Sequence, residues 1–330
     1  MTRSASEWVE LIAGNSDAGE SWAQIFSALR DVAMQCTRSG QLERATVTPD
    51  RILASAAWNL WDEFPAYAPT VVDELKRFWV RPGASGTAVL VLDALSLREL
   101  PLIVNAAIER GAKPVRVDAL GTQVPTDTNH FAKSLGVTSR SALFNDSAPA
   151  SFIFDGEDVF TNVLEAPFAE CVDSVPSTPR LFLWHTWPDE PLIHLHASRD
   201  DGPELVASQV KVQLTSPVFW NFVDRLRQGR RLVITSDHGY AVSKSFSDEI
   251  KDPESVRLLR AAFGAGRYAA ESPTSPWPRR NLPPLVSRSD GYLAVIGQRK
   301  WTVQSGFPYL CHGGLSLLEA VVPFIELPAK

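Results

Sequence analysis

The stretch LVITSDHGY, residues 232–240, decides how the chain reads. Leu232, Val233, Ile234 and Thr235 form an apolar, β-branched run of the kind that makes a strand buried on both faces. They lead directly into Ser236, Asp237, His238 and Gly239, so an acid and an imidazole stand where a strand should end. Taken alone, SDHG reads equally as a turn or a helix N-cap, because Ser, Asp and Gly favour both places. What separates the readings is whether other apolar runs end in the same way.

Working outward, AVLVLD (88–93) ends in Asp93 and RLFLWH (180–185) ends in His185. PVRVDAL (114–120) and AVVPFIEL (320–327) are further strand-like runs, and helical segments such as SLRELPLIVNAAIERGA (96–112) and the stretch from about 203 to 228 lie between the runs. Apolar strands alternating with helices predict an α/β fold with a mainly parallel central sheet covered by helices. Ligands of such sheets sit beyond the carboxyl ends of the strands, so Asp93, His185, Asp237 and His238 are expected at one edge. The texture before residue 82 is different. SWAQIFSALRDVAMQC (21–36) and ILASAAWNLWDEF (52–64) carry apolar residues at helical spacing, with Thr48 and Pro49 suited as N-cap and N1 of the second run. The tryptophans at 8, 22, 58, 61 and 79 read as helix-packing core. The expected organisation is a helical N-terminal region over 1–82 and a second domain over 86–330. The latter is interrupted at about 241–289 by an excursion ending in ESPTSPWPRRNLPPLVSRSDG (271–291), too rich in proline for helix or central strand. GYLAVIGQRKWTVQSG (291–306) predicts a strand pair turning near 297–300.

Composition narrows the function classes. A net charge of −6 argues against coating a nucleic-acid duplex by bulk charge, so any nucleic-acid partner is met locally. Cys36, Cys171 and Cys311 are widely spaced and odd in number, which fits a reducing cytoplasm better than a disulfide framework. The start MTRSASEWVELIAGN lacks a signal-peptide pattern, and no apolar run approaches the roughly 18 residues of a membrane span, so a cytoplasmic protein is expected.

Two more loops carry chemistry-bearing residues: GTQVPTDTNHF (121–131) and CHGGLSLLEAVVPFI (311–325). Five histidines, 130, 185, 194, 238 and 312, fall at strand ends or in polar loops. Neutral imidazole mixed with carboxylate suits Zn²⁺ or Mn²⁺ better than Mg²⁺ or Ca²⁺. No GxSxG or Ser-His-Asp order is present to activate a hydroxyl.

VLVLDAL (89–95), ITSDHGY (234–240) and HGGLSLLEAVVPFI (312–325), in that order, resemble the alkaline phosphatase superfamily, and within it the PglZ domain family. The resemblance covers about residues 86–330 and implies an alkaline phosphatase-like sandwich holding two divalent metal ions, zinc or manganese. It places Asp93, Asp237 and His238 on one ion. Asp189, His312 and a histidine from the 185–194 region, His194 before His185, fall on the other. Thr128 corresponds to the attacking hydroxyl, with Thr126 as the alternative. The gap between Asp189 and His194 departs from the usual pattern, and Glu190 to His194 or His185 to Asp189 fit its spacing as well. No C/S-x-P-x-R context for sulfate esters is present. The implied activity is phosphoester hydrolysis, with a nucleotide or oligonucleotide diester as substrate and a place, with protein partners, in phage defence. The alternatives are a phosphomonoesterase or phosphomutase, and a non-catalytic scaffold of a defence or signalling complex. Arg279 and Arg280, with Trp277 and Arg288, are expected to bind substrate from a mobile cover over the site.

Overall fold

The computed structural model describes residues 3–81, 85–154, 158–272, 277, 284–304 and 306–330. Five helices come first: α1 (Ala5–Ala13), α2 (Ala18–Gln35), α3 (Gln41–Ser55), α4 (Asn59–Tyr67) and α5 (Val71–Val80). Ser4 and Glu7 close a capping box on α1, while Asp17 and Thr70 cap α2 and α5. α3 begins earlier than the sequence suggested. Gly40, at φ 74°, turns the chain ahead of it, so Thr48 and Pro49 fall inside the helix and Pro49 is buried there. Packing of Leu42, Thr46, Leu53 and Ala54 outweighs the backbone hydrogen bond that proline forfeits. Trp22 lies 4.8 Å from Trp61 and 4.9 Å from Phe64, ring centre to ring centre, and Trp8, Trp22 and Trp61 are buried. These aromatics are helix-packing core, as their spacing implied.

Next come β1 (Gly86–Asp93), α6 (Leu100–Glu109), β2 (Arg116–Gly121), α7 (Thr128–Ser134), β3 (Val159–Leu164), α8 (Phe168–Cys171), β4 (Arg180–Pro188), α9 (Gly202–Thr215), α10 (Pro217–Arg227) and β5 (Arg230–Thr235). The single helix expected over 203–228 is two, because Pro217 cannot donate to the preceding turn and Ser216 caps the second helix through its hydroxyl. The excursion follows, with β6 (Ala241–Val242), β7 (Asp248–Ile250), α11 (Pro253–Phe263), β8 (Tyr268–Ala270), β9 (Val286–Ser289), β10 (Tyr292–Val295) and β11 (Arg299–Trp301). β12 (Leu310–Cys311), α12 (Leu317–Ala320) and β13 (Val321–Leu327) complete the chain.

The main sheet has the order β2-β13-β5-β1-β4-β3, parallel except for β13, which runs antiparallel to both neighbours. This is the mainly parallel, helix-covered α/β architecture that the alternation of apolar runs predicted. One apolar cluster joins Trp22, Phe26 and Phe64 of the leading helices to Leu90 and Leu92 of β1. Gly121 ends β2 against those helices: its N–H donates to the Pro69 carbonyl, and a Cβ there would lie 2.8 Å from the Phe64 ring. The excursion has a small core of its own around Leu259, Phe263, Leu293 and Trp301. The two strands expected near residue 297 exist but do not pair with each other. β10 joins β8 and β9, and β11 joins β7.

Candidate metal centre

The strand ends meet as their burial requires. β1 delivers Asp93, and the residues after β5 deliver Asp237 and His238, all fully buried. The turn is fixed by its own polar groups. Ser236 donates its hydroxyl to the carbonyls of Leu92 (2.8 Å) and His238 (2.7 Å), and Asp237 Oδ1 accepts the Ala94 N–H at 3.0 Å. β1 and β4 run in register as far as Leu92 and His185, then slip, so that Asp93 stands opposite Pro188. That irregularity carries the next residue, Asp189, to the same edge.

Two groups of ligand-type atoms result, one of Asp93, Asp237 and His238, the other of Asp189, His238 and His312, each with its atoms within 4.8 Å of one another. His238 Nε2 is 3.6 Å from Asp93 and 3.5 Å from Asp237. Its Nδ1 lies 3.0 Å from the Gly239 carbonyl, which fixes the proton on Nδ1 and leaves Nε2 with a free lone pair. The two groups share that lone pair, so His238 can serve one ion. His312 stacks on His238 at 4.4 Å, and His194 Nε2 lies 3.2 Å from Asp189 Oδ2. His312 Nδ1 and Asp189 Oδ1 are buried without a hydrogen-bond partner. Buried polar atoms left unpaired are costly, and mixed carboxylate and imidazole donors are what Zn²⁺ or Mn²⁺ takes, so these residues fit a divalent cation.

The electrostatics point the same way. Burial, then the charges of Asp237 and Asp189, raise Asp93 well above the usual carboxylate range, with Arg140 acting in the opposite direction. Burial by itself would lower His238, but Asp237 and Asp189 outweigh it and raise it. His312 is lowered by burial and by His238 beside it, which keeps it a neutral ligand type. Arg140, in the turn after α7, donates to both Asp93 and Glu190. Nothing in the order of strands and loops marked it, since it belongs to no strand end.

Thr128 is the first residue of α7, and its hydroxyl lies in the first group, 3.0 Å from Asp237 Oδ2, 3.3 Å from Asp93 Oδ1 and 3.3 Å from His238 Nε2. Thr126 lies elsewhere: its hydroxyl donates to the Gly314 carbonyl (3.0 Å) and accepts the Gly313 N–H (2.9 Å), tying the two loops together. His185 takes part in neither group. Its Nδ1 accepts the Trp187 N–H at 3.1 Å, its ring packs on Phe168 at 4.2 Å, and burial lowers its pKa to about 4. Glu190 is held by Arg140 and belongs to neither group. His130 Nδ1 is bonded to Asp127 at 2.6 Å, on the first turn of α7. Arg279 and Arg280 lie outside the described residues. Trp277 is buried against Phe263, and Arg288 donates to Glu271 and to the Trp277 carbonyl, so neither faces the site as a free group.

No helix of the described residues is long and apolar enough to cross a membrane. No family model matches the chain, and no curated protein matches it. Solved structures similar in shape include murine ectonucleotide pyrophosphatase/phosphodiesterase 5, with 14% identity, 74% of this chain and 88% of that one covered, and a TM-score of 0.42. Another is phosphonoacetate hydrolase from Sinorhizobium meliloti in complex with phosphonoformate, with 15% identity, 75% and 91% covered, and a TM-score of 0.40. Likenesses this remote carry neither family nor function.

Proposed function

We propose that the chain is a metal-dependent phosphoester hydrolase whose nucleophile is the Thr128 hydroxyl. One observation carries the reading: that hydroxyl lies within 3.3 Å of three ligand-type side chains, Asp93, Asp237 and His238, at a buried sheet edge. A threonine hydroxyl is a poor nucleophile near neutral pH and needs an activating partner. Two divalent ions held by Asp93, Asp237 and His238 and by Asp189, His312 and His194 would lower that barrier and offset phosphate charge. The chain's own residues do the rest. Asp237 Oδ2 accepts the hydroxyl proton and aims the oxygen, Thr126 fixes the loop, and the attack on phosphorus expels the ester oxygen. Water then cleaves the threonyl phosphoester.

The resemblance of HGGLSLLEAVVPFI to PglZ domains extends the reading to a nucleotide or oligonucleotide diester, with zinc or manganese, in a phage-defence setting with protein partners. Purified protein should contain zinc or manganese and cleave bis(p-nitrophenyl) phosphate in preference to p-nitrophenyl phosphate. Thr128→Ala should lower kcat by about 10²-fold or more with metal retained, and Thr128→Ser should keep much of the rate. A Thr128→Ala protein as active as the parent would overturn the nucleophile. A metal-free, inactive parent would favour the scaffold alternative.

A further inference from the structure

Two glycines follow His312, and the space beside each is taken by the excursion. Gly313 has φ +99°, and a Cβ on it would lie 2.3 Å from Cδ1 of Tyr268. A Cβ on Gly314 would lie 2.6 Å from Nε of Arg267. The dipeptide Arg267–Tyr268 at the start of β8 is thus pressed against the loop that bears His312. Arg267 is fully buried and cannot drift: it donates to both Glu319 oxygens and to the carbonyls of Gly297 and Arg299. Tyr268, the next residue, inherits that anchorage.

Tyr268 also reaches the other loop of the site. Its ring meets His130 edge-on at 5.9 Å, and His130 in turn is bonded to the carboxylate of Asp127, the N-cap of α7. Burial alone would raise Asp127, yet contacts with His130 and Tyr268 bring it to about 2. Its Oδ1 accepts both the His130 N–H and Nδ1, while its Oδ2 is buried and closes no well-formed hydrogen bond. The carboxylate that starts the helix of Thr128 is therefore steadied from one side by its own helix and from the other by the excursion.

We propose that Tyr268 is a positioning residue for both loops of the centre, its ring holding His312 in place through Gly313 and the head of α7, and so Thr128, through His130 and Asp127. This rests on the hydrolase reading above. Two variants tell the ring from the hydroxyl. Tyr268→Leu removes the ring that fills the space at Gly313, and Tyr268→Phe removes the hydroxyl alone.

Zinc titration by calorimetry, with the visible spectrum of the cobalt-substituted protein as a report on ligand geometry, reads the first half. Tyr268→Leu should weaken the ion held by Asp189, His312 and His194 about tenfold or more, the scale seen when a ligand loses its support, and Tyr268→Phe should keep parental affinity. Turnover of bis(p-nitrophenyl) phosphate reads the second half. Tyr268→Leu should lower kcat about tenfold, because the aim of Thr128 is relaxed, while Tyr268→Phe should keep the parent's kcat. A Leu variant with the parent's zinc affinity and cobalt spectrum overturns the proposal, and so does a Phe variant with weakened zinc affinity or lowered kcat, which decides the matter if the Leu variant fails to fold. A parent that binds no metal sinks the hydrolase reading itself, and the positioning role falls with it.

Discussion

Two clusters of fully buried charge lie on adjoining loops and are built on opposite rules. Around Arg267 and Glu319, both inaccessible to solvent, each charge meets its opposite, with N–O distances of 2.7 and 3.1 Å. The remaining capacity of Glu319 is taken by the Gly314 N–H and the Ser316 hydroxyl. Around Asp93, Asp237 and Asp189, by contrast, negative charge gathers with Arg140 as the cation on Asp93, and polar atoms are left unpaired. Burial is equal and completeness is not. A satisfied ion pair rigidifies a loop, whereas an unsatisfied cluster stores an appetite for positive charge, which is the physical meaning of a binding site.

The sharpest way to break the comparison is to damage the complete cluster. Arg267→Met leaves Glu319 buried and unpaired and should cost about 3–5 kcal/mol in urea denaturation, while Arg267→Met with Glu319→Gln should recover much of it. If the single variant matches the parent, the pair is not the structural half. Asp50 tests the same side by pH. It lies on α3, accepts the Leu317 N–H and the Gln298 amide, and is raised to about 7, first by burial. Its folded form therefore holds a proton that the unfolded chain releases above about pH 4, so this contribution is full at acid pH and is lost as pH rises through about 7. Denaturation from about pH 5 to about pH 7 should show the parent losing up to about 1.4 kcal/mol per pH unit relative to Asp50→Asn; parallel profiles would mean that Asp50 is already ionised. The smallest effect belongs to the incomplete cluster. Asp237→Asn should abolish turnover and uptake of the ion shared with Asp93 and His238, yet stabilise the metal-free protein by about 1 kcal/mol, since it removes one of the crowded buried charges. A lower melting temperature in that variant would show that Asp237 is held for stability and not for a ligand.

Much of this was legible in residue order. Uniformly apolar strands broken by helices have few foldings other than a covered parallel sheet, and polar residues closing such strands must gather at its carboxyl edge. His185 shows where that logic stops. It closes a strand as Asp93 does, but the register slip after it turns the chain so that Asp189, four residues on, reaches the edge. A slip of that kind leaves no mark in composition or periodicity. Arg140 and Tyr268 were illegible for a different reason: each comes from a turn or excursion that enters the site from the side, and only tertiary packing brings it there. The tie between Thr126 and the glycine loop likewise joins residues 187 and 188 positions apart, a distance over which local pattern says nothing.

The placing of β13 between β2 and β5 has a consequence for the order of events in time. A chain emerging from the ribosome offers β2, and the loop bearing Thr128 that hangs from it, long before β13 exists to bond β2 into the sheet. The leading helices need not wait with it, since Trp22, Phe26 and Phe64 share an apolar cluster with Leu90 and Leu92 of β1. Parallel pairing of β5, β1, β4 and β3 can proceed first, so Asp93, Asp189, Asp237 and His238 can reach the sheet edge while the loop bearing Thr128 is still unmoored. On the reading proposed above, the candidate centre is completed only when β13 closes the gap and bonds β2 into the sheet.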